Sequence, residues 1–319
     1  GCSGSRQSEL DGRSGFTNPF HKAVISQVHE PTARDLLLQQ AESLAAGDSK
    51  QLDLSAPTVL VGATQLIVAA AELASIERLL LVGSVASDAR LAAFSDALAQ
   101  LVNLRRLNME GNRLVETPAS EVLFKLPLEG LSLSDNALQV VPSGISQLRG
   151  TLIDLELRKN FLSHLPDEIG ELSALRQLSL GRNTLRELPS SLGNCTSLVM
   201  LFLEHNRLNS LPMSLSKLSA LDDLNLHDNR LSSVPAVVME ISSLRWLSLG
   251  KNSIAALPTT LFAMPNLEVL HSHSNQLRAI TLPEPTSAPL GSEQTTTSAS
   301  IPVDCGDQAN GKINSAASK

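Results

Sequence analysis

Aromatic residues are scarce in this 319-residue chain, which has seven phenylalanines, one tryptophan and no tyrosine. Stacking platforms for bases are therefore nearly absent, and a net charge of -7 denies the chain the basic stripe that a phosphate backbone requires. Nucleic acid is not an expected partner. Cysteine is equally rare, and Cys2, Cys195 and Cys305 cannot make a disulfide framework. Long apolar runs are missing too: the best, Leu66 to Val82, is interrupted by Glu72, Glu77 and Arg78, so no segment reads as membrane-spanning. The first residues carry no apolar run of the secretory kind, and a cytoplasmic location is expected. There is no GxxxxGK loop, GxSxG elbow, HExxH helix or kinase signature. The expectation is a non-enzyme with no catalytic residue, cofactor, metal or small-molecule substrate.

What the chain has in abundance is regularly spaced leucine. From Leu104 to Leu282 the pattern LxxLxLxxNxLxxLPxxI recurs eight times with a period of 23 or 24 residues. The copies open at Leu104, Leu128, Leu152, Leu175, Leu198, Leu221, Leu244 and Leu267. An asparagine recurs in every copy, at Asn112, Asn136, Asn160, Asn183, Asn206, Asn229, Asn252 and Asn275. A fixed period in this range marks a solenoid whose units cannot stand alone.

Within one unit, Leu178 and Leu180 alternate with Gln177, Ser179 and Gly181, the signature of a short strand with one buried face. The asparagine next in line suits a sharp turn, because its amide satisfies backbone groups and it tolerates unusual dihedrals. Stacked asparagines are expected to bond neighbouring turns. Pro142, Pro166, Pro189, Pro212, Pro235 and Pro258 then fit an extended return segment on the outer side. Six buried aliphatic side chains at roughly 2 kcal/mol each do not offset about 1.5 kcal/mol of ordering cost per residue, so only the stack is stable.

These motifs resemble the leucine-rich repeat family, specifically its typical intracellular LPxxI class of Ras-suppressor-like and plant Ras-group-related proteins. The resemblance implies an α/β fold: a curved solenoid with a parallel sheet on its concave face. It also implies protein binding, with a small GTPase, a kinase or a phosphatase subunit as candidate partners.

The rest of the chain reads as appendages. Residues 1–22 form an arm, 23–100 a helical and degenerate-repeat cap, 101–282 the eight repeats and 283–319 a Ser/Thr/Pro-rich tail; both ends are too poor in apolar residues to order themselves. Within the cap, 31–47 reads as an amphipathic helix, and 51–54 and 76–84 as worn repeat units. A second helix is expected over 88–101. Gly1-Cys2-Ser3-Gly4-Ser5 matches the pattern for myristate on Gly1 with palmitate on Cys2, which together would hold the protein at the inner face of a membrane. Cys195 takes a position held by leucine in sister units and should be an inert core thiol.

Candidate binding residues come from the outward positions of the late strands: Met200, Phe202, His205, His227, Trp246, Lys251, Val269, His271 and His273. The single tryptophan is expected to point outward near Phe202 and Met200, as an anchor of an interface. His227, His271 and His273 are expected to approach one another. Together these features indicate a scaffold or adaptor, tethered to a membrane, binding a signalling partner on its concave face. One alternative is a soluble cytosolic regulatory protein without the anchor, and another is a metal-dependent enzyme using those histidines.

Overall fold

The computed structural model describes residues 39–40, 43, 50–53, 55, 76–83, 98–117 and 120–281. The strands are β1 (Gln51–Asp53), β2 (Arg78–Leu80), β3 (Arg106–Asn108), β4 (Gly130–Ser132), β5 (Asp154–Glu156), β6 (Gln177–Ser179), β7 (Met200–Phe202), β8 (Asp223–Asn225), β9 (Trp246–Ser248), β10 (Ala256–Pro258), β11 (Val269–His271) and β12 (Ala279–Thr281). All but β10 and β12 form one ten-stranded parallel sheet, laid down in chain order from β1 to β11; β10 and β12 pair separately. The chain folds as a leucine-rich repeat solenoid with the long sheet on one side and 3-10 turns on the convex side.

Each strand is three residues long because only its middle leucine must be held between rungs. Leu52, Leu79, Leu107, Leu131, Leu155, Leu178, Leu201, Leu224, Leu247 and Leu270 are all buried, and they stack in register from rung to rung. Each contributes about 2 kcal/mol by leaving water, but only because its neighbours supply the other walls. The worn units at 51–53 and 78–80 are thus full rungs of the sheet.

The asparagine ladder closes each turn. Asn183 Nδ2 donates to the carbonyls of Leu180 in its own turn and Leu157 in the preceding one, both at 2.9 Å, while its Oδ1 accepts the Leu162 N–H at 3.0 Å. Asn206, Asn229 and Asn252 repeat this arrangement. The unusual backbone expected at the asparagine lies one residue earlier. Asp135, Lys159, Arg182, His205, Asp228, Lys251 and Ser274 have φ between 51° and 58°, and Gly111 stands at 72° in the first unit. The asparagine needs ordinary dihedrals to aim its amide back across the turn, so the preceding residue takes the left-handed conformation.

The prolines are extended as expected: Pro142, Pro166, Pro189 and Pro212 have ψ between 141° and 152°. Each leads into a 3-10 helix, at Ser143–Leu148, Asp167–Glu171, Ser190–Asn194 and Met213–Lys217. Proline there gives up no donor the turn needs. Short α-helices α1 (Ser120–Leu123), α2 (Val237–Glu240) and α3 (Thr259–Phe262) take this place in other units. Gly170 and Gly193 lie where adjacent 3-10 helices pack closest; a Cβ on either would run into the carbonyl of Ser191 or Ser214.

Of the expected cap helices, residues 39, 40, 43 and Leu98 are helical and the remainder lie outside the described residues, as do the arm and the tail. No helix among the described residues is long and apolar enough to cross a membrane.

Candidate functional site

Strand alternation puts the residues before and after each central leucine on the exposed face of the sheet, and the register arranges them in columns across it. The first column runs Arg106, Gly130, Asp154, Gln177, Met200, Asp223, Trp246, Val269. The second runs Asn108, Ser132, Glu156, Ser179, Phe202, Asn225, Ser248, His271. Beyond the strand ends a third carries Arg158, Gly181, Glu204, His227, Gly250 and His273.

Glycine serves one purpose in three of these positions: it lets side chains two rungs apart meet over it. Arg106 Nη1 reaches Asp154 Oδ2 at 2.9 Å across Gly130. The Glu204 carboxylate lies over Gly181 and approaches Arg158 Nε at 3.6 Å. His227 and His273 close over Gly250, with ring centroids 5.3 Å apart, and a Cβ there would sit 2.8 Å from His227 Nδ1 and from His273 Nε2. In the early half, Gly130 and the small Ser132 also open a groove of about 350 Å³ walled by Arg106, Asn108, Asp154 and Glu156.

The late half holds the residues proposed from the sequence. His205 Nδ1 bonds Asp228 Oδ2 at 2.7 Å, and its ring meets His227 edge-on at 5.6 Å. The imidazole row is therefore His205, His227 and His273. His271 stands apart from it, edge-on to Trp246 at 6.0 Å. The expected grouping of His227, His271 and His273 is corrected in this respect, because His271 belongs to the strand and His273 to the turn beyond it. Burial, followed by His273, Lys251 and His205, holds His227 below the usual imidazole range, against the opposing pull of Asp228. Among the described residues no group of three or more His, Cys, Asp or Glu is arranged to hold a metal.

Trp246 is 43% exposed, and Lys251 is exposed beside the imidazole row. Met200 and Phe202 are half-buried. They do not adjoin Trp246: β8 intervenes, and Asp223 is the residue in register between Met200 and Trp246. Val269 is also corrected. It occupies the outward column, in register with Trp246, but is only 6% exposed. Gly1 and Cys2 lie outside the described residues. Cys195 is buried, its thiol pushed up to about 11 by that burial and donating to the Ile169 carbonyl at 3.2 Å.

Strand alternation along the chain also puts Asp154, Glu156 and Asp223 on this face, but not the register that sets Asp223 between Met200 and Trp246. The signal was present in the period: aligning units by their leucines writes the columns out directly, including Arg158-Gly181-Glu204 and His227-Gly250-His273.

Residues 145–245 match the leucine-rich repeat region family. A leucine-rich repeat and calponin homology domain-containing protein of Drosophila melanogaster is 44% identical over 59 residues, 18% of this chain and only 7% of that protein. Among solved structures, a leucine-rich repeat protein of Leptospira interrogans is similar over 74% of this chain and 73% of its own, with 26% identity and a TM-score of 0.51. The leucine-rich repeat ectodomain of the Arabidopsis thaliana receptor kinase GASSHO1/SCHENGEN3, solved in complex with Casparian strip integrity factor 2, is similar over 66% of this chain and 25% of its own, with 29% identity and a TM-score of 0.55. The repeat pattern, the sheet and these likenesses give the chain the leucine-rich repeat fold, with the family's sequence pattern matched over residues 145–245.

Proposed function

We propose that the chain is a protein-binding scaffold whose late concave strands, β7, β8, β9 and β11, form the contact surface. The observation that carries this reading is Trp246, a large aromatic left 43% exposed on a rigid sheet beside His271, among polar and charged neighbours. Interfaces concentrate their energy in such anchors, and a surface already ordered by its own stack loses little entropy on binding. The Arabidopsis ectodomain similar to this chain was itself solved with a partner bound. Met200, Phe202, His205, His227, Lys251, His271 and His273 complete the face. In the Ras-suppressor-like class that the LPxxI units resemble, a small GTPase, kinase or phosphatase subunit is the kind of partner to seek.

The test is affinity capture with the parent chain and with a Trp246→Ala, Phe202→Ala double variant. Both side chains project from the sheet, so the double variant should melt within about 1 kcal/mol of the parent. A specific partner retained by the parent and lost by the double variant is expected. Recovery of the same partners at the same level by both would remove the late face from the interface.

A further inference from the structure

The concave residues of β7, β8 and β9 fall in register as Met200, Asp223 and Trp246, adjacent strands lying about 4.8 Å apart. Asp223 differs from the carboxylates around it. Asp222 faces Arg245 at 3.7 Å, Glu268 bonds Arg245 at 2.9 Å, Glu204 faces Arg158 at 3.6 Å and Asp228 bonds His205 at 2.7 Å. Asp223 has no cationic partner among the described residues. It is half-buried, and burial together with the charges of Asp222 and Glu204 holds its carboxyl up at about 6. Glu204 adds a sheltered Oε2 with no hydrogen-bond partner among the described residues.

At neutral pH this site keeps an ionised, poorly hydrated carboxylate without a counter-charge, which lowers the stability of the chain by itself. Its side walls are a thioether and an indole. Such walls accept the methylene stem of a long basic side chain, while the cation at its tip meets the carboxylate and the indole ring. A flexible methionine adjusts to the stem, and the indole, braced edge-on by His271, is already placed.

We propose that the row Met200, Asp223, Trp246 receives a basic side chain, lysine or arginine, presented by a partner protein. This rests on the late concave face being an interface and names the chemistry the partner brings to its centre. Asp223 supplies the counter-charge, and Trp246 and Met200 the walls.

Because Trp246 is the only tryptophan and the chain has no tyrosine, its emission reports on this site alone. Nα-acetyl-lysine amide and Nα-acetyl-arginine amide, titrated at constant ionic strength, should each change that emission saturably in the millimolar range expected of so small a ligand. Nα-acetyl-norleucine amide, with a similar stem and no charge, should not. Asp223→Asn should weaken the response to the cationic amides about tenfold or more, as loss of a charged hydrogen bond implies. An equal response to norleucine amide would make the site merely apolar and overturn the proposal. So would a response undiminished by Asp223→Asn, or no saturable response to either cationic amide; the comparison of parent titrations decides the matter even if the variant folds poorly. Failure here with continued loss of a captured partner in the double alanine variant would leave the interface standing and remove only the basic side chain from it.

Discussion

The early and late halves of the concave sheet are built on the same leucine and asparagine frame, yet they treat charge in opposite ways. From β3 to β7 the arginines and acids reach over glycines and neutralise one another, Arg106 with Asp154 and Arg158 with Glu204. From β7 to β11 a half-buried acid with no counter-charge among the described residues stands between a methionine and a tryptophan, and three imidazoles crowd into one row. Identical backbones thus carry one region where ion pairs span the glycines and another where the half-buried acid between two apolar side chains has none. A fold with repeating geometry separates the residues that hold it together from those that meet a partner, and an unmet electrostatic need on the second set is informative because the frame did not require it.

Four substitutions probe that contrast. The largest effect is expected at the seam, from Asn206→Ala. It leaves the Leu185 N–H and the Leu180 and Leu203 carbonyls without their side-chain partner, and should destabilise the chain by about 3 kcal/mol in urea titration. Because each rung depends on its neighbours, hydrogen exchange should show both halves loosening together.

The second is Asp223→Asn. A carboxyl held up at about 6, against 3.8 ordinarily, binds its proton more tightly in the folded chain than in the unfolded one. Its contribution is therefore favourable at low pH and is lost as pH rises through that window. The parent should lose about 1–2 kcal/mol of stability between roughly pH 4 and 7 from this group, after allowance for partial exposure. Asparagine does not titrate, so the variant should exceed the parent in melting temperature at pH 7.5 and match it near pH 4. Equal melting at both pH values would mean the early and late halves do not differ in the way argued.

Gly250→Ala comes third. Its Cβ would lie 2.8 Å from both imidazole nitrogens and must drive the rings apart, at a cost of about 1 kcal/mol. Proton NMR titration should then show His227 moving up toward the ordinary imidazole range, since His273 is among the causes that hold it down. Smallest is Asp154→Asn in the early half. Its pair with Arg106 has side chains 29% and 47% exposed, so breaking it should change stability by less than about 1 kcal/mol.

The frame was readable from residue spacing because burial imposes it directly. A leucine or an asparagine out of step would leave a hole or an unsatisfied carbonyl; the asparagine is in place in all eight copies, while Met109 and Ser272 take a leucine slot in the first and the last. The left-handed residue was not readable. It is glycine, aspartate, lysine, arginine, histidine or serine in different units, chosen by position and not by type. The exposure of Trp246 was legible from strand alternation, whereas the burial of Val269 in the same column was not. The electrostatic state of Asp223 could not be read locally at all, since its causes lie at Asp222 beside it and at Glu204 nineteen positions earlier in the chain.

Periodic leucines and asparagines, by their order alone, determined that this polypeptide stacks into rungs with one face of the sheet turned outward, because each apolar row is sheltered only by a copy of itself. Which outward residues touch, which acid lacks a counter-charge and which rings share the space over a glycine were decided by the register between rungs. Those relations join positions a full repeat or more apart, where only the packed stack sets the distance.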